Sequence, residues 1–237
     1  MTVERVKHEG FTSLLFIEIE STFDDPSQAP SLFFYGHFDK QPHFSGWREG
    51  LGPTEPVIID DMLYGRGGAD DGYSIFAALT TIKTCQDLGL PHGHVVAIIE
   101  GSEESASVHL SHYLDHFKPR LGHFDVVFIL DSLTVTYDAL GLTTSLRGNC
   151  KFELQADVLT EGVHSQISGV VPDSFRVMRQ LLDRLEDPVT GRVCDEFRRP
   201  HPEDHLQFAK DLVDAAGYDL STIPFHGEMK ATSEDPF

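Results

Sequence analysis

The hydrophobic residues of this chain fall into short continuous runs separated by longer amphipathic stretches. Runs rich in β-branched and aromatic residues predict buried strands: SLLFIEI around Phe16, SLFFYG from Ser31, VVAIIE from Val95 and DVVFIL from Asp125. Helical spacing predicts helices over residues 73–88 and 104–117, the second ended by Lys118-Pro119. This alternation predicts an α/β fold with a mostly parallel sheet flanked by helices.

The pattern changes after Gly148. The segment CKFELQADVL, residues 150–159, alternates apolar and polar positions and predicts a half-exposed antiparallel strand. Residues 174–185 and 205–216 have the spacing of amphipathic helices. We therefore predict an α/β domain over residues 1–148 and a smaller α+β domain over residues 149–237.

Composition limits the kinds of partner. The formal net charge of -20 excludes nucleic acid as the expected partner, because a phosphate backbone would be repelled, and it favours a metal cation or a small molecule. No apolar run approaches the ~18 residues that a membrane span requires, and the N-terminus has no apolar signal core. Three widely spaced cysteines favour a reducing compartment. We predict a cytoplasmic protein with no membrane partner.

Acidic residues and a histidine follow the predicted strands. His37, Glu103 and Asp131 each come just after a strand, and Asp70 lies in a glycine-rich loop before a helix. In open α/β sheets, ligands bind beyond the carboxyl ends of the strands. The sequence therefore predicts one shared pocket with the donors of a two-metal hydrolytic centre.

Several of these residues have a simpler alternative. His37 and Asp39 are two apart, so in an extended segment Asp39 could fix the His37 ring, although a hydrogen-bonded turn would also explain the pair. Asp70 is the candidate bridging carboxylate, and either Asp70 or Asp71 could instead cap the next helix. For Asp71, a role in the site and a role as helix cap are equally supported.

The pair Glu103-Glu104 can divide two tasks. We assign Glu103 as the general base and Glu104 as a metal ligand, because adjacent side chains diverge. Two acids at a helix N-terminus are the structural alternative. Asp131, a candidate ligand, could likewise only begin a turn.

Read in order, five blocks resemble one family: YGHFDKQP, LYGRGGADDG, IEGSEESAS, ILDS and GVHSQISGVVP. They are similar to the di-zinc metallopeptidase family of aminoacylase, carnosinase, glutamate carboxypeptidase and succinyl-diaminopimelate desuccinylase. The resemblance implies a catalytic domain over residues 1–148, a lid and dimerisation domain after it, and two zinc or manganese ions. It also implies a possible homodimer.

The resemblance also implies roles for single residues. His37 and Asp131 would hold one metal, Glu104 the other, and Asp70 would bridge them, with a cis peptide bond between Asp70 and Asp71. Glu103 would be the general base and Asp39 would orient His37. In the fifth block, His164 would reach the partner subunit's site and polarise the scissile carbonyl or stabilise the oxyanion. Without the resemblance, a histidine in a surface loop would be the favoured interpretation.

The chain also departs from the family pattern. A Lys-Gly pair is replaced by Gly72 and Tyr73, and Ala106 replaces a glycine. A return to the catalytic domain, which should supply a histidine ligand and a substrate-binding arginine, is missing, since His201, His205 and His226 have no matching context. We therefore expect a chain truncated at both ends, with its second metal site short of one ligand.

Three functions remain to be compared. The leading hypothesis is a metal-dependent peptidase or amidohydrolase that cleaves a dipeptide or an N-acyl amino acid through a metal-activated water. The alternative is an inactive fragment that binds metal or a partner chain. Hydrolysis by paired carboxylates without metal is the third, and it leaves His37 without a role.

Overall fold

A computed structural model describes residues 1–132, 134, 136–137, 139–143, 145–217 and 220–231. These residues form two compact units, residues 1–133 and 134–237. The functional division predicted at Gly148 stays a prediction, and residues 232–237 of the predicted second domain lie outside the described residues. Within the described ranges no helix combines the length and apolarity needed to cross a bilayer.

The first unit is built on a five-stranded mixed sheet. Its strands are β1 (Thr2–Val6), β2 (Leu14–Ile19), β3 (Ser31–His37), β6 (His94–Glu100) and β7 (Val126–Ile129), and a separate hairpin pairs β4 (Val57–Ile59) with β5 (Met62–Tyr64). The order across the sheet is β1-β2-β6-β3-β7, with β3 parallel to β6 and β7, and β2 antiparallel to β1 and β6. The α/β class and all four predicted strands are confirmed.

Two helices cover the two faces of this sheet. Helix α1 (Ser74–Asp87) packs Ala78 and Ile82 against Val95 and Ala97 of β6. Helix α2 (Leu110–Leu121) packs Tyr113 and Phe117 against the opposite face, which includes Phe16, Val96 and Ile98. Successive residues of β6 face opposite helices because side chains alternate along a strand. The uninterrupted apolar run in β6 therefore reflects burial on both faces.

The helix predicted over residues 104–117 differs from the structure. A short helical turn, Glu103–Ser105, is followed by Ala106 at φ 68° and Ser107 at φ 50°, and α2 begins only at Leu110. Left-handed backbone ends a right-handed helix, so the two segments are separate. Pro119 does not end α2, because it lies in the last turn and the carbonyl it leaves unpaired belongs to exposed Asp115.

The second unit contains α3 (Ser174–Leu182) and α4 (Glu203–Ala216), close to the predicted helices. The strand predicted over residues 150–159 is wrong, since no strand is assigned there. Leu154, Ala156 and Val158 are half-buried and alternate with exposed residues, so the predicted periodicity is present. A strand also needs a hydrogen-bonded neighbour, and none pairs with this segment in the part of the chain described.

Candidate metal centre

The centre forms where the parallel strands β3, β6 and β7 end. His37 is the last residue of β3, and its register partner is Glu100 at the end of β6. The Glu103-Glu104 pair follows β6, and Asp131 comes two residues after β7. Parallel strands end at the same edge of a sheet, so His37, the Glu103-Glu104 pair and Asp131 lie together although they come from three separate parts of the sequence.

A glycine lets the loop before α1 approach this edge. A Cβ at Gly36 would lie 2.1 Å from Ser74 Oγ and 2.7 Å from Asp71 Oδ2. Fully buried Asp71 accepts a hydrogen bond from the backbone N–H of His37 at 3.0 Å. Glycine at position 36 therefore permits the contact that fixes the end of β3 against the Asp70-Asp71 loop.

The His37 ring is buried among carboxylates. Its Nδ1 lies 3.1 Å from the backbone oxygen of Asp39 and 3.4 Å from Asp39 Oδ1. Its Nε2 lies 3.2 Å from Asp70 Oδ1 and 3.8 Å from both Glu103 Oε2 and Asp131 Oδ2. None of these contacts satisfies Nε2, which is buried without a hydrogen-bond partner. A buried nitrogen facing three carboxylates has the surroundings of a metal ligand.

The donors form two overlapping groups. One contains His37, Asp70 and Glu104, and the other contains His37, Glu103 and Asp131; within each group the donor atoms lie within 4.8 Å of one another. Imidazole with carboxylate oxygens suits zinc or manganese. The residues present therefore fit divalent cations.

Asp39 and Gln41 hold the glutamates in place. Asp39 accepts hydrogen bonds from the backbone N–H groups of Glu103, at 3.2 Å, and Glu104, at 3.0 Å. Gln41 donates its backbone N–H to Glu104 Oε1 at 3.1 Å and its side-chain amide to Glu104 Oε2 at 2.5 Å. Gln41 was not predicted from the sequence, although it continues the spacing of two from His37 to Asp39 that predicts one shared face.

The Asp70-Asp71 peptide bond is cis, as the family resemblance predicted. The two side chains separate: Asp71 binds the backbone of His37, and Asp70, whose side chain is 57% exposed, faces His37 Nε2. Neither side chain caps α1, whose N-cap residue is Tyr73. The helix-cap alternative is therefore wrong for both aspartates.

The crowding of acids changes their proton affinity. Burial, reinforced by Asp131, raises the pKa of Glu103, and burial also raises the pKa of Asp131 and of Asp71. Burial acts to lower the pKa of His37, but Asp131 and Asp39 outweigh it and the pKa is raised. The centre thus binds protons more readily than ordinary carboxylates do, as expected where a cation is required.

His164 belongs to the second unit. Its ring is exposed, and its Nδ1 accepts a hydrogen bond from the backbone N–H of Gln166 at 3.2 Å. Its predicted catalytic role stays a prediction.

Comparison with known proteins gives a consistent result. The model of the family described as Peptidase family M20/M25/M40 matches residues 33–218. A beta-Ala-His dipeptidase of Rattus norvegicus is 32% identical over 170 residues, covering 69% of this chain and 34% of the relative. A cysteinylglycine-S-conjugate dipeptidase of Corynebacterium striatum is 29% identical over 163 residues, covering 67% of this chain and 35% of the relative.

The fold comparison agrees. The crystal structure of human carnosine dipeptidase 1 matches with a TM-score of 0.57 and 23% identity, over 89% of this chain and 46% of that one. The chain thus spans about a third of the length of these curated relatives and about half of the solved structure.

Proposed function

We propose that this chain, which belongs to peptidase family M20/M25/M40, carries the metal centre and general base of a metal-dependent peptidase or amidohydrolase. The substrate class is a dipeptide or an N-acyl amino acid. The matched relatives named as dipeptidases support the first of these. The cytoplasmic location and the homodimer stay predictions.

One observation carries the proposal: the buried, unpartnered Nε2 of His37 faces the carboxylates of Asp70, Glu103 and Asp131, which come from a loop and from the ends of two separate strands. We assign His37 and Asp131 to one ion, Glu104 to a second and Asp70 to both, with zinc or manganese as the metal. Ions held by these residues would polarise the scissile carbonyl and lower the pKa of a water molecule. Asp71 and Asp39 hold His37 in position through its backbone N–H and its Nδ1.

Glu103 is the general base in this proposal. Its raised pKa lets it accept a proton from the attacking water at Oε2 and return that proton to the leaving amine. The hydrogen bond from its own backbone N–H to Asp39 fixes its distance from His37. Glu104 is held by Gln41 at both oxygens, so it is suited to ligation rather than to carrying protons.

We propose that His164, which lies in the second unit, acts in the partner subunit's site, where it polarises the scissile carbonyl or stabilises the oxyanion. Because its Nδ1 accepts a hydrogen bond, the neutral ring carries its hydrogen on Nε2. That N–H can donate to a carbonyl oxygen on which negative charge develops. A neutral donor of this kind agrees with the predicted role.

The test is hydrolysis of a panel of dipeptides and N-acyl amino acids after chelation and again with added Mn²⁺ or Zn²⁺. We expect activity only with metal, and we expect Glu103→Gln to bind Mn²⁺ normally while kcat falls by about 10²–10⁴-fold. Gln166→Ala is the control outside the metal centre, because it removes a side chain but keeps the backbone N–H that donates to His164 Nδ1. An unchanged rate in Glu103→Gln would refute the assigned base, and activity without metal would favour carboxylate-only catalysis. Metal binding without turnover on the panel would favour the non-catalytic alternative.

A further inference from the structure

A second group of histidines lies on the opposite face of the sheet from α1, where α2 meets the segment between β1 and β2. His112 and His116 are four residues apart on α2 and are both exposed. The ring of His8 lies 4.9 Å from the ring of His112 and 5.2 Å from that of His116, centre to centre. We call His8, His112 and His116 the three-histidine cluster.

The position of His8 is fixed by its neighbours. Its ring lies 5.2 Å from the ring of Tyr113 and 6.1 Å from that of Phe11, and its backbone N–H points at the Tyr113 hydroxyl at 3.4 Å. Its Nε2 is shielded from solvent and has no hydrogen-bond partner. A polar nitrogen that is shielded from solvent and has no partner is costly unless something binds it.

The distances from the His8 ring to the other two rings are those of ligands on one ion, although the donor nitrogens of the three residues do not lie within 4.8 Å of one another as the side chains stand. With metal–nitrogen distances of about 2.0–2.1 Å and tetrahedral angles, two imidazoles on one ion have ring centres about 5 Å apart. The rings of His112 and His116 meet that of His8 edge to face, at 84° and 73°. Ligation therefore requires rotation of the side chains of His112 and His116, both of which are exposed.

We propose that the three-histidine cluster binds a transition-metal ion of the zinc type, separately from the centre at His37. Imidazole favours zinc, copper and nickel, whereas manganese prefers carboxylate oxygen. His109 is not part of the site, because its Nδ1 is engaged by Thr12 and its ring stacks on Phe11. An ion here would join the N-terminal segment to α2 and stabilise the first unit by mass action.

The test counts metal equivalents by elemental analysis after dialysis at pH 7.5, where neutral imidazole is available. We expect the double variant His112→Ala/His116→Ala to retain one Zn²⁺ equivalent fewer than the wild type and to take up Mn²⁺ unchanged. His8→Phe keeps a ring in the packed position and should also lose that equivalent. His123→Ala removes an exposed histidine just beyond α2 and should lose none.

Thermal unfolding provides the second measurement. Zn²⁺ should raise the Tm of the wild type more than that of His8→Phe, with the two Tm values similar in chelator. His37→Ala should lose Mn²⁺ uptake and keep the cluster's Zn²⁺, so failure of the His37 centre and failure of the cluster are distinguishable. Equal Zn²⁺ content in the wild type and the double variant would overturn the proposal and leave the cluster as packing alone.

Discussion

The two units contain helices with the same kind of apolar periodicity and bury them differently. In the first unit α1 buries Ala78 and Ile82, and α2 buries Tyr113 and Phe117. In the second unit neither α3 nor α4 has a buried residue, and Phe175 of α3 is 76% exposed. Periodicity thus determines where a helix forms and which stripe is apolar, while burial requires a facing surface such as the sheet.

The largest expected effect is a loss of stability when a packed aromatic residue of the first unit is removed. Phe16 is 1% exposed and stacks on Phe117, so Phe16→Ala should lower the free energy of unfolding by about 3–5 kcal/mol. Phe175→Ala, the matched change in α3, should stay within about 0.5 kcal/mol. Circular dichroism during urea unfolding reports both units, and the fluorescence of Trp47, the single tryptophan, reports the first unit alone. Equal losses of unfolding free energy in the two variants would refute the proposed difference in packing between the two units.

The next largest effect is on Mn²⁺ affinity, which should depend on His37 in the first unit and not on His164 in the second. His37→Ala should lower Mn²⁺ affinity by more than about 100-fold, since even outer partners of a metal ligand cost 10–100-fold. His164→Ala should leave Mn²⁺ affinity unchanged, because its role is proposed on the substrate. Titration followed by the electron paramagnetic resonance of free Mn²⁺ measures both. A strong loss with His164→Ala alone would place the cation elsewhere.

A smaller effect concerns close packing at a glycine. Gly36→Ala brings a methyl group against Ser74 and Asp71 and should cost about 1–3 kcal/mol, together with weaker Mn²⁺ binding. Gly148→Ala is the control in the second unit, where nothing lies within 4 Å of the added atom. Its effect should be within about 0.5 kcal/mol. A Gly36→Ala variant as stable as the wild type would mean that the loop is not fixed there.

The smallest expected effect is on the pH dependence of stability, which should change in opposite directions when one acidic residue of each unit is replaced. Glu103 has a raised pKa in the folded chain, so its charge disfavours folding above its ordinary value of 4.5. In chelator, Glu103→Gln should therefore gain stability relative to the wild type as pH rises through and above that value.

Asp187 in the second unit has a pKa lowered by hydrogen bonds from Thr190, so its charge favours folding. Asp187→Asn should lose stability relative to the wild type as pH rises through the range in which Asp187 ionises. Chemical unfolding across pH, followed by circular dichroism, compares the two variants with the wild type. A change of stability with the same sign in both variants would contradict the raised pKa of Glu103 and the lowered pKa of Asp187.

The sequence predicted which residues come together at the edge of the sheet better than it predicted the bounds of the elements around them. Strand ends could be read from apolar runs, and parallel pairing then brings His37, Glu103 and Asp131 to one edge. The start of α2 could not be read, because Ala106 and Ser107 adopt left-handed backbone without a glycine to indicate it. The absence of a strand over residues 150–159 could not be predicted either, because the alternation of apolar and polar residues does not show whether a neighbouring strand exists.

We propose that the carboxyl ends of β3, β6 and β7 hold divalent cations around His37. Crystals grown with Mn²⁺ and measured near the manganese absorption edge test this proposal. We expect an anomalous peak at bonding distance from His37 Nε2 and from the carboxylate oxygens of Asp70 or Asp131. A map without a peak at His37, from crystals that contain Mn²⁺ elsewhere, would refute it.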